Sequence, residues 1–308
     1  MNTLTLSNAQ AITSFNFANF EKDFFASLDI KQETFKAYKK GVNSFIQYCQ
    51  ENNIVTPCNA DIIAYKKYAL SLFSGATVNL YISGLRRFFK YLASQGLFQD
   101  ITIGVKGAKF NRYDKKDSLT SEQIVELLAS CDNTEQGKRN KAIIALMVTC
   151  GLRDIEVTRI LKDDIVMEQG KFCVLIQGKY RDEKDEKMYI NQGVYKLIAE
   201  YLEVKSDKKS KYLFSSTSNN NKGGLTTCSI SSIVKNAFKK IGLNSSRLTA
   251  HSLRHTAVTL ALLGGYQIQD VQVFARHANI ATTQIYAHNI NASKVKLDCS
   301  NAIANSLF

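Results

Sequence analysis

The residues of this chain that could do the most demanding chemistry are Arg153, the pair His251 and Arg254 in HSLRH, His277 in ARH, and Tyr286 in TTQIYAH. Each arginine presents a planar fork of N–H donors that matches phosphate oxygens. A phenol attacks phosphorus as a covalent nucleophile once the phosphate charge is neutralised and the phenolic proton has an acceptor. Imidazoles, with near-neutral pKa values, suit that proton transfer. Two guanidiniums, two imidazoles and a phenol can therefore break a phosphodiester with no metal. His251 and Arg254 are three residues apart, so on a helix they share a face and reach one phosphate; His255 lies on the same face. Histidines at i and i+4 also suit a metal ion, but no acidic or cysteine third ligand is placed to join them. His255 is therefore expected to pack or hydrogen-bond behind the site.

The elements that must hold these residues can be read from periodicity. Residues 1–16 are polar and small and read as a flexible start, and helical periodicity follows over 17–96. In 34–52, Phe35, Tyr38, Val42, Phe45, Ile46 and Cys49 recur on one face. In 76–95, Val78, Tyr81, Ile82, Leu85, Phe88, Phe89 and Leu92 do the same, giving a helical domain over 17–100. The stretch 101–117 carries Lys106, Lys109, Arg112, Lys115 and Lys116 against Asp114 and Asp117, with two glycines and no clear stripe. It predicts a basic linker crossing a nucleic-acid backbone, with a plain surface connection as the alternative.

A second domain, 118–290, opens with Thr120 and Gln123 spaced as a capping box. An apolar helix over 142–150 stops at Gly151, whose freedom to turn left-handed exposes Arg153 just beyond it. Residues 172–177 and 187–190 read as strands joined by the charged turn GKYRDEKDE. Helical patterns follow at 192–203, 228–241, 251–263, 268–276 and 282–287, with a polar loop at 215–224. A tail over 291–308 keeps Val295, Leu297, Ile303, Leu307 and Phe308 apolar. The fold class expected is mainly α with one small antiparallel β-hairpin or sheet in the second, catalytic domain.

The ordered set Arg, His-x-x-Arg, His, Tyr resembles the tyrosine recombinase (phage integrase, Xer, Cre) family of site-specific DNA recombinases. The resemblance covers essentially the whole chain, and its specific part is 149–156 and 251–286. The family pattern T-G-L-R-x-x-E is met by Thr149, Gly151, Leu152, Arg153 and Glu156, with Cys150 inserted before the glycine. The usual Leu-Gly-His is Ala275-Arg276-His277, an arginine replacing glycine, and Tyr286 follows His277 by nine residues with Thr282 and Thr283 between. The resemblance implies that Arg153 and Arg254 clamp the scissile phosphate, His277 hydrogen-bonds it, Glu156 fixes the site from behind, and Tyr286 is the nucleophile. Tyr266 lacks this context. A lysine in the β-hairpin turn is implied as the acid that protonates the leaving 5′ oxygen. Counting back from the second strand favours Lys184, with Lys179 next and Lys187 last.

The same resemblance implies two domains forming a C-shaped clamp around DNA. Arg86, Arg87 and Lys90, off the apolar stripe of 76–95, would then lie near the backbone with Lys106, Lys109 and Arg112; a solvated face is the ordinary alternative. The activity implied is strand exchange through a 3′-phosphotyrosyl link and a Holliday junction, with no metal, ATP or other cofactor. It would serve integration or excision of a mobile element, or chromosome dimer resolution. The partners implied are double-stranded DNA with an inverted-repeat site, a homotetramer, and accessory DNA-bending or directionality proteins; the tail packs on its own domain or, in the favoured reading, docks on a neighbouring protomer. A type IB topoisomerase uses much the same residues, but a small helical N-terminal domain and a tail after the tyrosine fit a recombinase better. The non-enzymatic alternative is a DNA-binding protein that kept the fold and lost the chemistry.

Composition agrees with a polyanionic partner. Of 308 residues, 40 are Lys or Arg and 27 Asp or Glu, a net charge of +13, and a hydrophobic content of 45% suffices for two cores. Seven scattered cysteines with no C-x-x-C pair read as reduced thiols of a cytoplasmic protein. A bacterial or phage-borne, nucleoid-associated protein is expected. No apolar run approaches the roughly 18 residues of a membrane span, and the N-terminus lacks a signal-peptide layout.

Overall fold

A computed structural model describes residues 18–109, 117–178, 181–217 and 223–307. The expected flexible start 1–16, and Arg112, Lys115, Lys116 and Lys179, lie outside the described residues. The chain divides into two compact units, residues 1–112 and 113–308.

The first unit holds helices α1 (Ala18–Ala26), α2 (Gln32–Glu51), α3 (Asn59–Leu72) and α4 (Gly75–Ser94). The stripe read on α4 is its buried face: Val78, Tyr81, Ile82, Leu85, Phe88, Phe89 and Leu92 are all buried. They pack with Val42, Phe45 and Cys49 of α2, and Phe45 meets Phe89 and Tyr65 edge-on, with centroids 5.9 and 5.3 Å apart. Helices α2 and α4 pack at glycines. A Cβ on Gly41 would sit 2.7 Å from the Tyr81 Cα, and one on Gly84 3.0 Å from the Tyr38 Cα. The stretch expected to be a linker contributes to this unit. Ile101 and Val105 are buried in its core, and Asn59 Nδ2 donates to the carbonyls of Ile101 (2.8 Å) and Ile103 (2.9 Å). Asn79 binds Ala108 in both directions, donating to its carbonyl at 2.9 Å and accepting from its N–H at 2.6 Å. Side chains of α3 and α4 thus tie this stretch to the unit.

The second unit begins as its sequence signals. Thr120 and Gln123 cap α5 (Ser121–Ala129) reciprocally, Gln123 N–H to Thr120 Oγ1 at 3.2 Å and Thr120 N–H to Gln123 Oε1 at 3.0 Å. Helix α6 (Glu135–Thr149) is buried from Ala142 through Met147 and forms the centre of the larger core. The short α7 (Asp154–Arg159) leads to a 3₁₀ turn (Lys162–Asp164) and a sheet of β1 (Ile165–Glu168), β2 (Lys171–Ile176) and β3 (Glu186–Tyr189). The order is β1-β2-β3, antiparallel throughout, with Ile165 opposite Val174 and Val174 opposite Met188. The hairpin read from sequence is β2–β3. Strand β1 is an addition, four residues turned back onto β2 through Gln169 and Gly170, both with positive φ (49° and 73°).

Helices α8 (Gln192–Val204), α9 (Thr227–Lys240), α10 (Ala250–Leu263), α11 (Ile268–Ala275) and α12 (Ile280–Leu307) complete the unit. Helix α10 packs against α6, α9, α11 and α12. The expected helix at 282–287 and residues 291–307 of the expected tail form one 28-residue helix, α12. No glycine or proline interrupts it. Val295, Leu297 and Ile303 stand exposed along its second half. Among the described residues no helix is long and apolar enough to cross a membrane.

Candidate active site

Three segments distant in sequence meet in the second unit. Gly151, at φ +57°, turns the chain out of α6, and Arg153 takes the N-cap of α7. Arg153 is fixed twice by one side chain: its N–H donates to Glu156 Oε2 (2.9 Å) and its Nη1 to Glu156 Oε1 (2.7 Å). Glu156 is fully buried, so this carboxylate is part of the site's frame and not a solvated surface group. Arg153 Nη2 reaches further, to the carbonyl of Arg276 (3.2 Å).

The first turns of α10 supply the second segment. Arg254 is 1% exposed, and its two Nη groups donate to the carbonyls of Gly151 and Ala275. The arginine of HSLRH thus bridges the turn before Arg153 to the end of α11. His251 is exposed and His255 half-buried; their rings meet edge to face with centroids 4.9 Å apart. The His255 ring lies 4.8 Å from that of Tyr286, so His255 is packed directly against the phenol. Among the described residues no group of three or more His, Cys, Asp or Glu could hold a metal ion.

The third segment runs from the end of α11 into α12. His277 Nδ1 and the Oγ1 of fully buried Thr283 are 2.9 Å apart, which leaves Nε2 as the uncommitted nitrogen. The His277 and Tyr286 rings are nearly parallel at 6.2 Å. Tyr286, on the second turn of α12, packs against buried Val258, Val271 and Ala275.

The charges share one environment. Burial pushes the Tyr286 phenol up from its ordinary value, and Arg254 and Arg153 pull it part of the way back. Burial, with Arg254, Arg153, His251 and His255 adding repulsion, lowers His277 to about 4, so its imidazole is neutral at neutral pH. Burial also lowers Arg254, to about 9, with Arg153 and Arg276 contributing; it remains a cation at neutral pH. For Glu156, burial alone would favour the acid form, but Arg276 and Arg153 outweigh it and hold the carboxylate below its usual range. Arg153 and Arg276 bind this one carboxylate and Arg254 stands close by, so positive charge is in excess here, an arrangement that favours an anion.

A cleft of about 490 Å³ opens beside this cluster, lined by Arg153, Gly178, Arg181, Gln272, Arg276 and His277 among others. Of the hairpin lysines, Lys184 is held by both oxygens of buried Asp164, at 2.6 and 2.5 Å, and Lys187 by Glu168 at 2.6 Å. The hairpin cation that lines the cleft among the described residues is Arg181, paired with Asp185. Arg181, Arg276 and Asp164 were not singled out as site residues from sequence. The available signal was Arg276, a charged residue where the family pattern has glycine. In the first unit Arg87, Lys90, Lys106 and Lys109 are exposed, while Arg86 donates to the Val105 carbonyl.

Comparison with known proteins identifies the family and the fold. The model of the phage integrase family matches residues 117–292, and that of the phage integrase N-terminal SAM-like domain matches 18–96. The chain is 29% identical over 269 residues to tyrosine recombinase XerD of Listeria innocua, covering 84% of this chain and 89% of the relative. It is 32% identical over 220 residues to tyrosine recombinase XerA of Pyrococcus horikoshii, covering 71% and 72%. Among solved structures, its fold is shared with the XerH site-specific recombinase bound to a palindromic difH substrate (TM-score 0.75, 20% identity, 94% of this chain and 85% of that one). It is also shared with lambda integrase in a tetramer bound to a Holliday junction (TM-score 0.67, 17% identity, 89% and 78%). With both units matched and the arginines, histidines and tyrosine gathered in the second, the chain belongs to the phage integrase family of tyrosine recombinases.

Proposed function

We propose that the chain is a site-specific recombinase that cuts and rejoins DNA through Tyr286. The observation that carries this reading is the convergence of Arg153 and Arg254 on the carbonyls of Arg276 and Ala275, directly before His277, with the Tyr286 ring packed beside His277 and His255. Arg153 and Arg254 offset charge on the pentacoordinate phosphate, and His277 Nε2 and His251 hydrogen-bond it. The Tyr286 oxygen attacks phosphorus and its proton passes to a neighbouring imidazole. The P–O5′ bond breaks, leaving a 3′-phosphotyrosyl link and a 5′-hydroxyl. A hairpin lysine protonates that leaving oxygen. Lys184 takes this role once its pair with Asp164 opens, with Lys179 the next candidate and Lys187 the last.

The phosphodiester's energy is conserved in the tyrosyl link, so the reversal by a partner strand's 5′-hydroxyl needs neither ATP nor a metal. Two such rounds through a Holliday junction exchange the strands, for a mobile element's integration or excision or for chromosome dimer resolution. The XerH complex and the lambda integrase tetramer on a Holliday junction favour DNA binding and assembly as a tetramer here. An inverted-repeat site, backbone contacts by Arg86, Arg87, Lys90, Lys106, Lys109 and Arg112, and docking of the α12 tail on a neighbouring protomer belong to the same reading.

The test is to mix the protein with nicked duplexes from its host genome, without added metal, and look for SDS-resistant protein–DNA adducts. We expect adducts at a defined sequence that vanish in Tyr286→Phe while DNA binding persists. Adducts on every duplex would point to a topoisomerase, and tight binding with no adduct to a DNA-binding protein without the chemistry.

A further inference from the structure

We propose that Arg276, which stands where the family pattern has glycine, is a positioning residue that holds both phosphate-clamping arginines in register; this rests on the reading of Arg153 and Arg254 given above. Arg276 ends α11 in the left-handed conformation (φ 54°, ψ 46°), a region that residues with a Cβ enter at a cost and that glycine enters freely. An arginine there must return that cost through its side chain. Nη2 donates to Glu156 Oε2 at 2.8 Å and to the Gly151 carbonyl at 3.2 Å. Nη1 donates to the carbonyls of Phe274 at 3.1 Å and Cys150 at 3.3 Å.

A guanidinium has five N–H donors. Four of those of Arg276 are committed to these protein acceptors, and the fifth, on Nε, is buried without a partner. Its side chain is only 6% exposed. It therefore has no free fork to offer a phosphate.

What it does instead follows from whom it touches. Glu156 Oε1 holds Arg153 and Glu156 Oε2 holds Arg276, so the carboxylate is clamped between two guanidiniums. The Gly151 carbonyl is shared by Arg276 and Arg254. The backbone at the same turn completes the frame, with the Ala275 carbonyl accepting from Arg254 and the Arg276 carbonyl from Arg153. One side chain thus joins the turn before α7, the carboxylate on α7 and the end of α11, directly before His277. A glycine at 276 would keep the backbone conformation and lose the strut, leaving Glu156 with one cation and its Oε2 with only the Arg153 N–H.

The experiment compares wild type, Arg276→Gly, Arg276→Lys, Glu156→Gln and the double variant Arg276→Gly/Glu156→Gln. It reads single-turnover adduct formation on a nicked recombination site, and DNA affinity alongside. Glycine suits the observed φ, and thermal melting checks that each variant folds. We expect Arg276→Gly to slow adduct formation by about 10²-fold, the scale of a misplaced catalytic group, with DNA affinity changed less than about threefold. Methylguanidinium added to Arg276→Gly should restore part of the rate, Arg276→Lys should fall between, and the double variant should be little slower than Glu156→Gln alone. An Arg276→Gly rate within about threefold of wild type overturns the proposal, as does a loss of rate matched by an equal loss of affinity or stability and not rescued by methylguanidinium. If wild type itself forms no adduct, it is the recombinase reading that fails, and this inference falls with it.

Discussion

At the scale of single residues, the site is a balance between burial and charge, and His277 shows its sign. Its imidazole sits at about 4 in the folded protein against 6.5 when unperturbed, first because it is buried and then because Arg254, Arg153, His251 and His255 surround it. The unfolded chain therefore takes up the proton first as pH falls. Stability owed to the neutral ring is complete above about pH 6.5 and is lost as pH falls through about 4. Melting temperature measured across this window should fall toward acid in wild type and fall less in His277→Gln; an equal fall in both would remove His277 as the cause. Residue types and their order made Arg153, His251, Arg254, His277 and Tyr286 legible in the sequence, because only a few side chains can attack or neutralise a phosphate. Partners were not legible. The Arg276–Glu156 pair joins residues 120 positions apart and depends on a left-handed turn, and the Asp164–Lys184 pair joins α7's exit to the hairpin. No local pattern encodes either.

Elements were legible where periodicity is strong and boundaries where a breaker stands. The α4 stripe and the Thr120–Gln123 cap are read directly because each is a local device with a fixed spacing. Strand β1 escaped because four residues carry too little alternation. The end of the helix bearing Tyr286 escaped for the opposite reason: a polar, weakly amphipathic stretch without glycine or proline gives no stop signal, so α12 runs on through the tail. That continuity has a consequence. Tyr286 near one end of α12 and the exposed Val295, Leu297 and Ile303 toward the other lie on one continuous helix, so under the proposed assembly a protomer that docks the tail also bears on the helix of Tyr286. Ending the chain after Asn291 should leave the site's packing and single-site DNA binding in place, since Thr283 and Tyr286 make their contacts in the first turns. Assembly on paired sites should be lost, as read by native gel shift. Normal tetramer formation by the shortened chain would sink the docking role.

For the whole molecule the governing quantity is a net charge of +13 facing a polyanion. Binding that neutralises phosphates releases condensed counterions, so affinity falls steeply with salt in proportion to the number of phosphates contacted. Exposed basic residues occur in both units: Arg87, Lys90, Lys106 and Lys109 in the first, and the guanidinium-lined cleft in the second. A protein that grips a duplex with both should make about 6–10 phosphate contacts and lose roughly 10³–10⁵-fold in affinity between about 50 and 200 mM salt. The charges should also be separable by role. Arg87→Ala and Lys90→Ala, on the face of α4 turned away from its core, should each lower the slope of log affinity against log salt by about one, equally for specific and random DNA. Arg86, committed to the Val105 carbonyl, should change the slope less. A slope unaltered by Arg87→Ala and Lys90→Ala would assign those residues to a solvated face and leave DNA binding to the second unit alone.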